Sequence, residues 1–133
     1  MSDQPTILIA DDDDDVRELV AFRLGRAGYR TISARDGREA LGRALNESPD
    51  LCVLDVAMPG ADGLEVTRAL RANPATHAIP VILLTALSQE RDVRAGIEAG
   101  AVAYIRKPFS HRELRDRVGA VIGVPATAVA DAA

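Results

Sequence analysis

Lysine is nearly missing: of sixteen basic residues fifteen are arginine, and the one lysine is Lys107. Cysteine also occurs once, as Cys52, tryptophan not at all, and the aromatics are two tyrosines and two phenylalanines. A single cysteine excludes an intramolecular disulfide and a cysteine-based zinc site; it suits the reducing cytoplasm, with Cys52 expected simply to pack in the core. No run approaches the roughly eighteen apolar residues of a membrane span, and the opening MSDQPT lacks the basic stretch of a secretory signal. A net charge of -4 with so few aromatics argues against a nucleic-acid-binding module. The expected partners are therefore proteins, with no direct nucleic-acid contact and no membrane.

The 133 residues, 47% hydrophobic, suffice for one globular domain with a single core. Five short apolar runs read as strands: Thr6 to Ala10, Tyr29 to Ala34, Leu51 to Asp55, Pro80 to Thr85 and Ala103 to Arg106. The first, third and fourth are apolar throughout rather than alternating, which marks strands buried on both faces. Between them lie helical segments. Val16 to Ala27 carries an apolar stripe and stops at Gly28; the second helix follows Asp36 and stops before Pro49; the third spans Gly63 to Ala72. A fourth begins at Ser88 and closes on Gly100, and a fifth begins at Ser110, with Glu113 placed for a capping box. Regular alternation implies right-handed crossovers and a parallel sheet covered on both faces. The domain is expected over residues 1–124, with 125–133 a flexible tail or the start of a linker.

In such a sheet ligands bind beyond the carboxyl ends of the strands. Those ends carry Asp11 and Asp12, Asp55, Thr85 and Lys107. Three converging carboxylates repel one another, and burial would protonate at least one of them. A divalent, oxygen-seeking ion and the Lys107 ammonium would balance the three charges, and Mg²⁺ keeps positions open for phosphate oxygens. Carboxylates, Mg²⁺, an ammonium and a hydroxyl together suit phosphoryl transfer, in which the protein chiefly positions groups and neutralises charge. Asp55, alone at the end of an apolar strand and followed by a Pro59-Gly60 turn, is the candidate nucleophile.

The ordered set formed by Asp11-Asp12, Asp55, Met58-Pro59-Gly60, Asp62-Gly63, Thr85-Ala86 and Lys107-Pro108-Phe109 resembles the receiver domain of two-component response regulators, from Thr6 to about Ile122. That resemblance implies a flavodoxin-like, doubly wound fold: a five-stranded parallel sheet in the order 2-1-3-4-5 with five helices. It implies that a sensor histidine kinase, a phosphotransfer protein or a small phosphodonor phosphorylates Asp55. Asp11, Asp12, Asp55 and the backbone carbonyl of Ala57 would bind Mg²⁺, and Thr85 and Lys107 would contact the phosphoryl oxygens. The Lys107-Pro108 peptide would be cis. Thr85 and Tyr104 would then reorient, changing the face of the fourth helix, fifth strand and fifth helix toward a protein partner or a missing output domain. On this reading the chain is no general enzyme and catalyses only its own phosphoryl transfer and dephosphorylation.

Departures from the family pattern also carry information. Val102 and Ala103 replace an acidic pair, and Val93 stands where the winged-helix transcription factor branch has arginine, so the ion-paired dimer face of that branch is missing and a monomer or weak dimer is expected. By the same resemblance, Ala57 and Leu87 occupy the positions that tune phosphoryl lifetime in that family, and two apolar residues there leave the lifetime open. Other readings fit less well. Asp11, Asp13 and Asp15 match the first ligands of a calcium loop, but Val16 and Phe22 stand at its glycine and glutamate positions. A Mg²⁺-dependent phosphohydrolase would want a second acid two residues past Asp55, where Ala57 stands. A phosphorylation-independent docking domain remains the other alternative. His77 and His111 are expected to be solvated.

Overall fold

The computed structural model describes residues 4–86 and 90–125. Strands and helices alternate five times: β1 (Thr6–Ala10), α1 (Asp14–Arg26), β2 (Arg30–Ala34), α2 (Gly37–Glu47), β3 (Leu51–Asp55), α3 (Gly63–Ala72), β4 (Val81–Thr85), α4 (Glu90–Ala99), β5 (Ala103–Arg106) and α5 (His111–Ile122). All strands pair in parallel, in the order β2-β1-β3-β4-β5. This is the expected doubly wound architecture. The chain order reverses between β1 and β3, which makes the ends of those two strands the switch point of the sheet.

Each strand sends alternate side chains to opposite faces, and each face has its own core. Ile7, Ile9, Val53, Ile82 and Leu84 pack against Val20 and Leu24 of α1 and Leu114 and Val118 of α5. Leu8, Ala10, Cys52, Leu54 and Leu83 pack against Ala40 and Ala44 of α2 and Val66 and Leu70 of α3. Every residue of β3 and β4 is buried, which explains their unbroken apolar character. Full burial of one such leucine or isoleucine stabilises the fold by roughly 1.5–3 kcal/mol. Cys52 is fully buried as expected, and burial pushes its thiol up to about 12 despite the opposing charge of Arg71.

Element ends differ from the sequence reading where caps decide. α1 starts at Asp14 rather than Val16, because the Asp13 carboxylate accepts from the N–H groups of Asp15 and Val16 at 2.9 and 3.2 Å. The second strand starts one residue late: the Tyr29 N–H bonds Leu24 O at the exit of α1, and its hydroxyl donates to Gly123 O at 2.7 Å beyond α5. Ser110 caps α5 by accepting from the Glu113 N–H at 3.0 Å, while a reciprocal capping box joins Asp62 and Glu65 at α3. Arg71 ties three segments, donating to Gly100 O at 3.1 Å, His77 O at 3.0 Å and Ile79 O at 2.6 Å. The expected start of the fourth helix at Ser88, Leu87, and the tail beyond Pro125 lie outside the described residues.

Candidate functional site

The sheet ladder extends one residue past several strands, and this holds the site. Asp11 N–H bonds Ala34 O at 3.3 Å, Val56 N–H bonds Leu84 O at 2.9 Å, and Lys107 N–H bonds Thr85 O at 2.8 Å. Side chains at the strand ends therefore project from backbone as regular as the sheet. They line an open crater of about 430 Å³ formed by Asp11, Asp12, Asp13, Asp55, Val56, Ala57, Thr85, Ala86 and Lys107. The Lys107-Pro108 peptide is cis, as expected.

Lys107 is the cation of the crater. Its Nζ lies 2.9 Å from Asp11 Oδ2 and 3.3 Å from Asp55 Oδ1, and both carboxylates are almost fully buried. Burial alone would lower the Lys107 pKa, but the hydrogen bond to Asp11 and the charges of Asp55 and Asp11 outweigh it and raise the value. Asp55 moves upward from 3.8 to about 6: burial and the Asp11 charge raise it more than Lys107 and the Ala57 N–H lower it. One ammonium is thus insufficient for the negative charge gathered here.

Asp11, Asp12 and Asp55 each offer a carboxylate oxygen, and the three oxygens lie within 4.8 Å of one another. Octahedral ligands about 2.1 Å from Mg²⁺ sit about 3 to 4 Å apart, so a slight closing suffices. The donors are all hard oxygens, which matches Mg²⁺ and not a thiolate or imidazole metal. The residues present fit that ion.

Thr85 is buried at the end of β4 and lines both the crater and a second, smaller space. That space, about 10 Å³ and roughly one water in size, is walled by Val56, Leu83, Thr85, Val93, Gly96, Ile97, Ala101, Ala103 and Tyr104. Tyr104 is half-buried in β5 rather than closed into the core. The structure thus brings together Asp11, Asp12, Asp55, Ala57, Thr85 and Lys107 in one crater and sets Tyr104 beside it. His77 is exposed, whereas His111 is half-buried in a groove with Leu19, Arg23 and Phe109.

Two residues support the crater in ways the sequence did not show. Arg17 donates through Nη1 to the backbone carbonyl of Asp11 at 2.9 Å and pairs with Asp14. Gly63 lets the start of α3 press against β3: its N–H bonds Val56 O at 2.9 Å, and a Cβ there would meet Asp55 O at 2.5 Å. Sequence showed Gly63 as a motif member and the start of the third helix but not its contact with β3, and Arg17 carried no signal beyond its type.

Residues 7–119 match the family described as the response regulator receiver domain. The chain belongs to that family. This receiver domain is 45% identical over 116 residues to the alkaline phosphatase synthesis transcriptional regulatory protein PhoP of Bacillus subtilis, covering 87% of this chain and 48% of that protein. It is 43% identical over 117 residues to the phosphate regulon transcriptional regulatory protein PhoB of Pseudomonas aeruginosa, covering 88% and 51%. Among solved structures it superposes with a TM-score of 0.85 on a putative response regulator from Chloroflexus aurantiacus, 40% identical, covering 89% of this chain and 97% of that one. The chemotaxis protein CheY4 of Vibrio cholerae also gives 0.85 at 31% identity, covering 90% and 99%.

This receiver domain spans about half the length of the curated relatives it matches. Those relatives correct the expected partners: they are named as transcriptional regulators, so the exclusion of nucleic acid is withdrawn. The acidic balance and scarce aromatics describe one module and do not speak for regulators about twice its length. Among the described residues no helix is long and apolar enough to cross a membrane.

Proposed function

We propose that this receiver domain is a phosphoacceptor switch in which an Asp55 carboxylate oxygen takes a phosphoryl group from a phosphohistidine donor or a small acyl phosphate. The donor's P–N or P–O bond breaks, its electron pair leaves with the donor, and an acyl phosphate forms on Asp55. The observation that carries this reading is a nearly buried carboxylate at a strand end, at the mouth of an open crater, between a second carboxylate and an ammonium.

Lys107 would exchange its contact with Asp55 for one with a phosphoryl oxygen, and the Thr85 hydroxyl would meet another. Asp11, Asp12, Asp55 and the Ala57 carbonyl would hold Mg²⁺, which supplies neutralising charge to the phosphoryl oxygens. Phosphorylation exchanges one negative charge for about two and adds strong acceptors. Because Thr85 and Val56 border both spaces, a movement of Thr85 toward the phosphoryl group would open room beside Tyr104. The face around α4 and β5 would then shift in population and change its affinity for what it contacts. A cytoplasmic setting and activity confined to the domain's own phosphorylation and dephosphorylation accompany this reading.

The test is intact-mass analysis after incubation with acetyl phosphate and Mg²⁺. One added phosphoryl group on the wild type, absent in Asp55→Asn and after chelation, is the expected result. An equal label on Asp55→Asn would refute Asp55 as acceptor, and sustained phosphate release from unrelated phosphoesters would indicate a hydrolase instead.

A further inference from the structure

We propose that Arg17 is a positioning residue for the divalent ion: it holds the peptide between Asp11 and Asp12 and so aims the Asp12 carboxylate. The inference rests on the reading of the crater as a Mg²⁺ site. Asp11 and Asp12 are secured in different ways. The Asp11 side chain is buried and bonded to Lys107, whereas Asp12 is exposed, so its direction follows from the backbone that carries it.

Three bonds locate that backbone. Asp11 N–H reaches Ala34 O at 3.3 Å, a long contact; Asp13 N–H donates to Asp11 Oδ1 at 3.0 Å; and Arg17 Nη1 donates to Asp11 O at 2.9 Å. The last acts directly on the carbonyl of the Asp11-Asp12 peptide. Arg17 is itself well fixed. Its side chain is only 12% exposed, its second nitrogen pairs with Asp14, and its own N–H bonds Asp13 O at 3.0 Å in the first turn of α1. A planar guanidinium offers both bonds in one rigid fork, which an ammonium cannot reproduce. Arg17 is not among the residues lining the crater, so it acts through Asp12 and not as a ligand.

The sign of its effect separates positioning from charge. A cation near the site repels Mg²⁺, so if Arg17 acted only through its field, its removal would tighten binding. Acting through Asp12, its removal loosens binding. The experiment is calorimetric titration of the unphosphorylated 133-residue chain with Mg²⁺, for wild type, Arg17→Met and Arg17→Lys, with the Tm of each measured in chelator.

Arg17→Met should raise the Kd for Mg²⁺ on the order of tenfold, the low end of losses caused by outer-shell partners. Arg17→Lys can still offer one donor to Asp11 O but loses the fork that fixes it, and should raise it by about threefold, less than the full loss. Labelling by acetyl phosphate should shift its Mg²⁺ midpoint in parallel and return close to the wild-type rate at saturating Mg²⁺. Unchanged or tighter binding in Arg17→Met overturns the proposal, even if its Tm falls, since that is what a merely structural role would do. Should Arg17→Met fail to fold, Arg17→Lys carries the test, and an unchanged Kd overturns it. A wild type that neither binds Mg²⁺ nor accepts a phosphoryl group overturns the underlying reading instead.

Discussion

The crater and the face beside it share Thr85 and Val56 but are built on opposite terms. In the crater, charged groups are nearly buried and held by bonds that continue the sheet: Lys107 by Thr85 O and by two carboxylates, Asp11 by Ala34 O. At the α4–β5 face the walls are mostly apolar, a small void lies among them, and Ile97 and Val102 stay 60% and 56% exposed. Chemistry needs groups kept in place before the reaction, because reorganising charge is expensive. The proposed switch would need two arrangements of similar energy at this face, and loosely filled apolar contacts would supply them. One region is therefore expected to fail abruptly on substitution and the other gradually.

Substitutions in the crater should have the largest effects. Asp55→Asn should abolish labelling and also change the metal-free stability profile. Folded Asp55 sits at about 6 against 3.8 for an ordinary aspartate. The folded chain thus binds more protons between those values, and its stability falls as pH rises from about 4 to about 6. Urea denaturation in chelator should show that slope in wild type and lose it in Asp55→Asn, leaving the variant about 1 to 2 kcal/mol more stable at pH 7.5. A variant equally sensitive to pH would show that Asp55 is not the group whose titration sets that slope.

Lys107→Met comes next. It leaves Asp11 and Asp55 facing each other, so labelling should drop by roughly a hundredfold, about the loss of one preorganised donor. Metal-free stability should drop by about 1 to 3 kcal/mol at pH 7.5, with Mg²⁺ restoring part of it. Tyr104→Ala should behave differently: labelling within about twofold of wild type and a stability loss of about 1 to 2 kcal/mol, but a phosphorylation-dependent change in hydrogen exchange on α4 and β5 that is largely lost. A tenfold fall in labelling would mean that the two regions are not separable. The smallest effect is expected for Asp15→Asn, about 0.3 to 1 kcal/mol from the helix dipole alone, with labelling intact. Asp12→Asn, three residues earlier, should weaken Mg²⁺-dependent labelling severely, and equal behaviour of the two would erase the distinction between crater and helix start.

Much of the fold was legible because its signals are local. Buried strands read as apolar runs, Gly28 and Gly100 take positive φ where helices end, and strand-end residue types pointed to oxygen-ligand chemistry before any geometry was known. The five consecutive aspartates sorted that way only in part: the strand end singled out Asp11 and Asp12, which do reach the crater, but not the residue that caps α1. Capping falls to Asp13, not to Asp14 or Asp15, because only one carboxylate in the run meets the free N–H groups of α1. Likewise Arg17 looked like one of fifteen arginines until its fork met the Asp11 carbonyl. The charge and aromatic balance misled about partners, because it described a module about half the length of its relatives.

By itself, then, the sequence determined which groups stand at the ends of which strands, since side-chain period and turn chemistry act within a few residues of each position. Only the tertiary structure decided how those groups meet. Lys107 lies near both Asp11 and Asp55 because the carboxyl ends of β1, β3 and β5 all fall at the same end of the parallel sheet, joining Asp11 and Lys107 across 96 positions. The resulting rise of Asp55 to about 6 belongs to that meeting: burial and a neighbouring charge are properties of the folded ensemble of groups, and no single residue carries them.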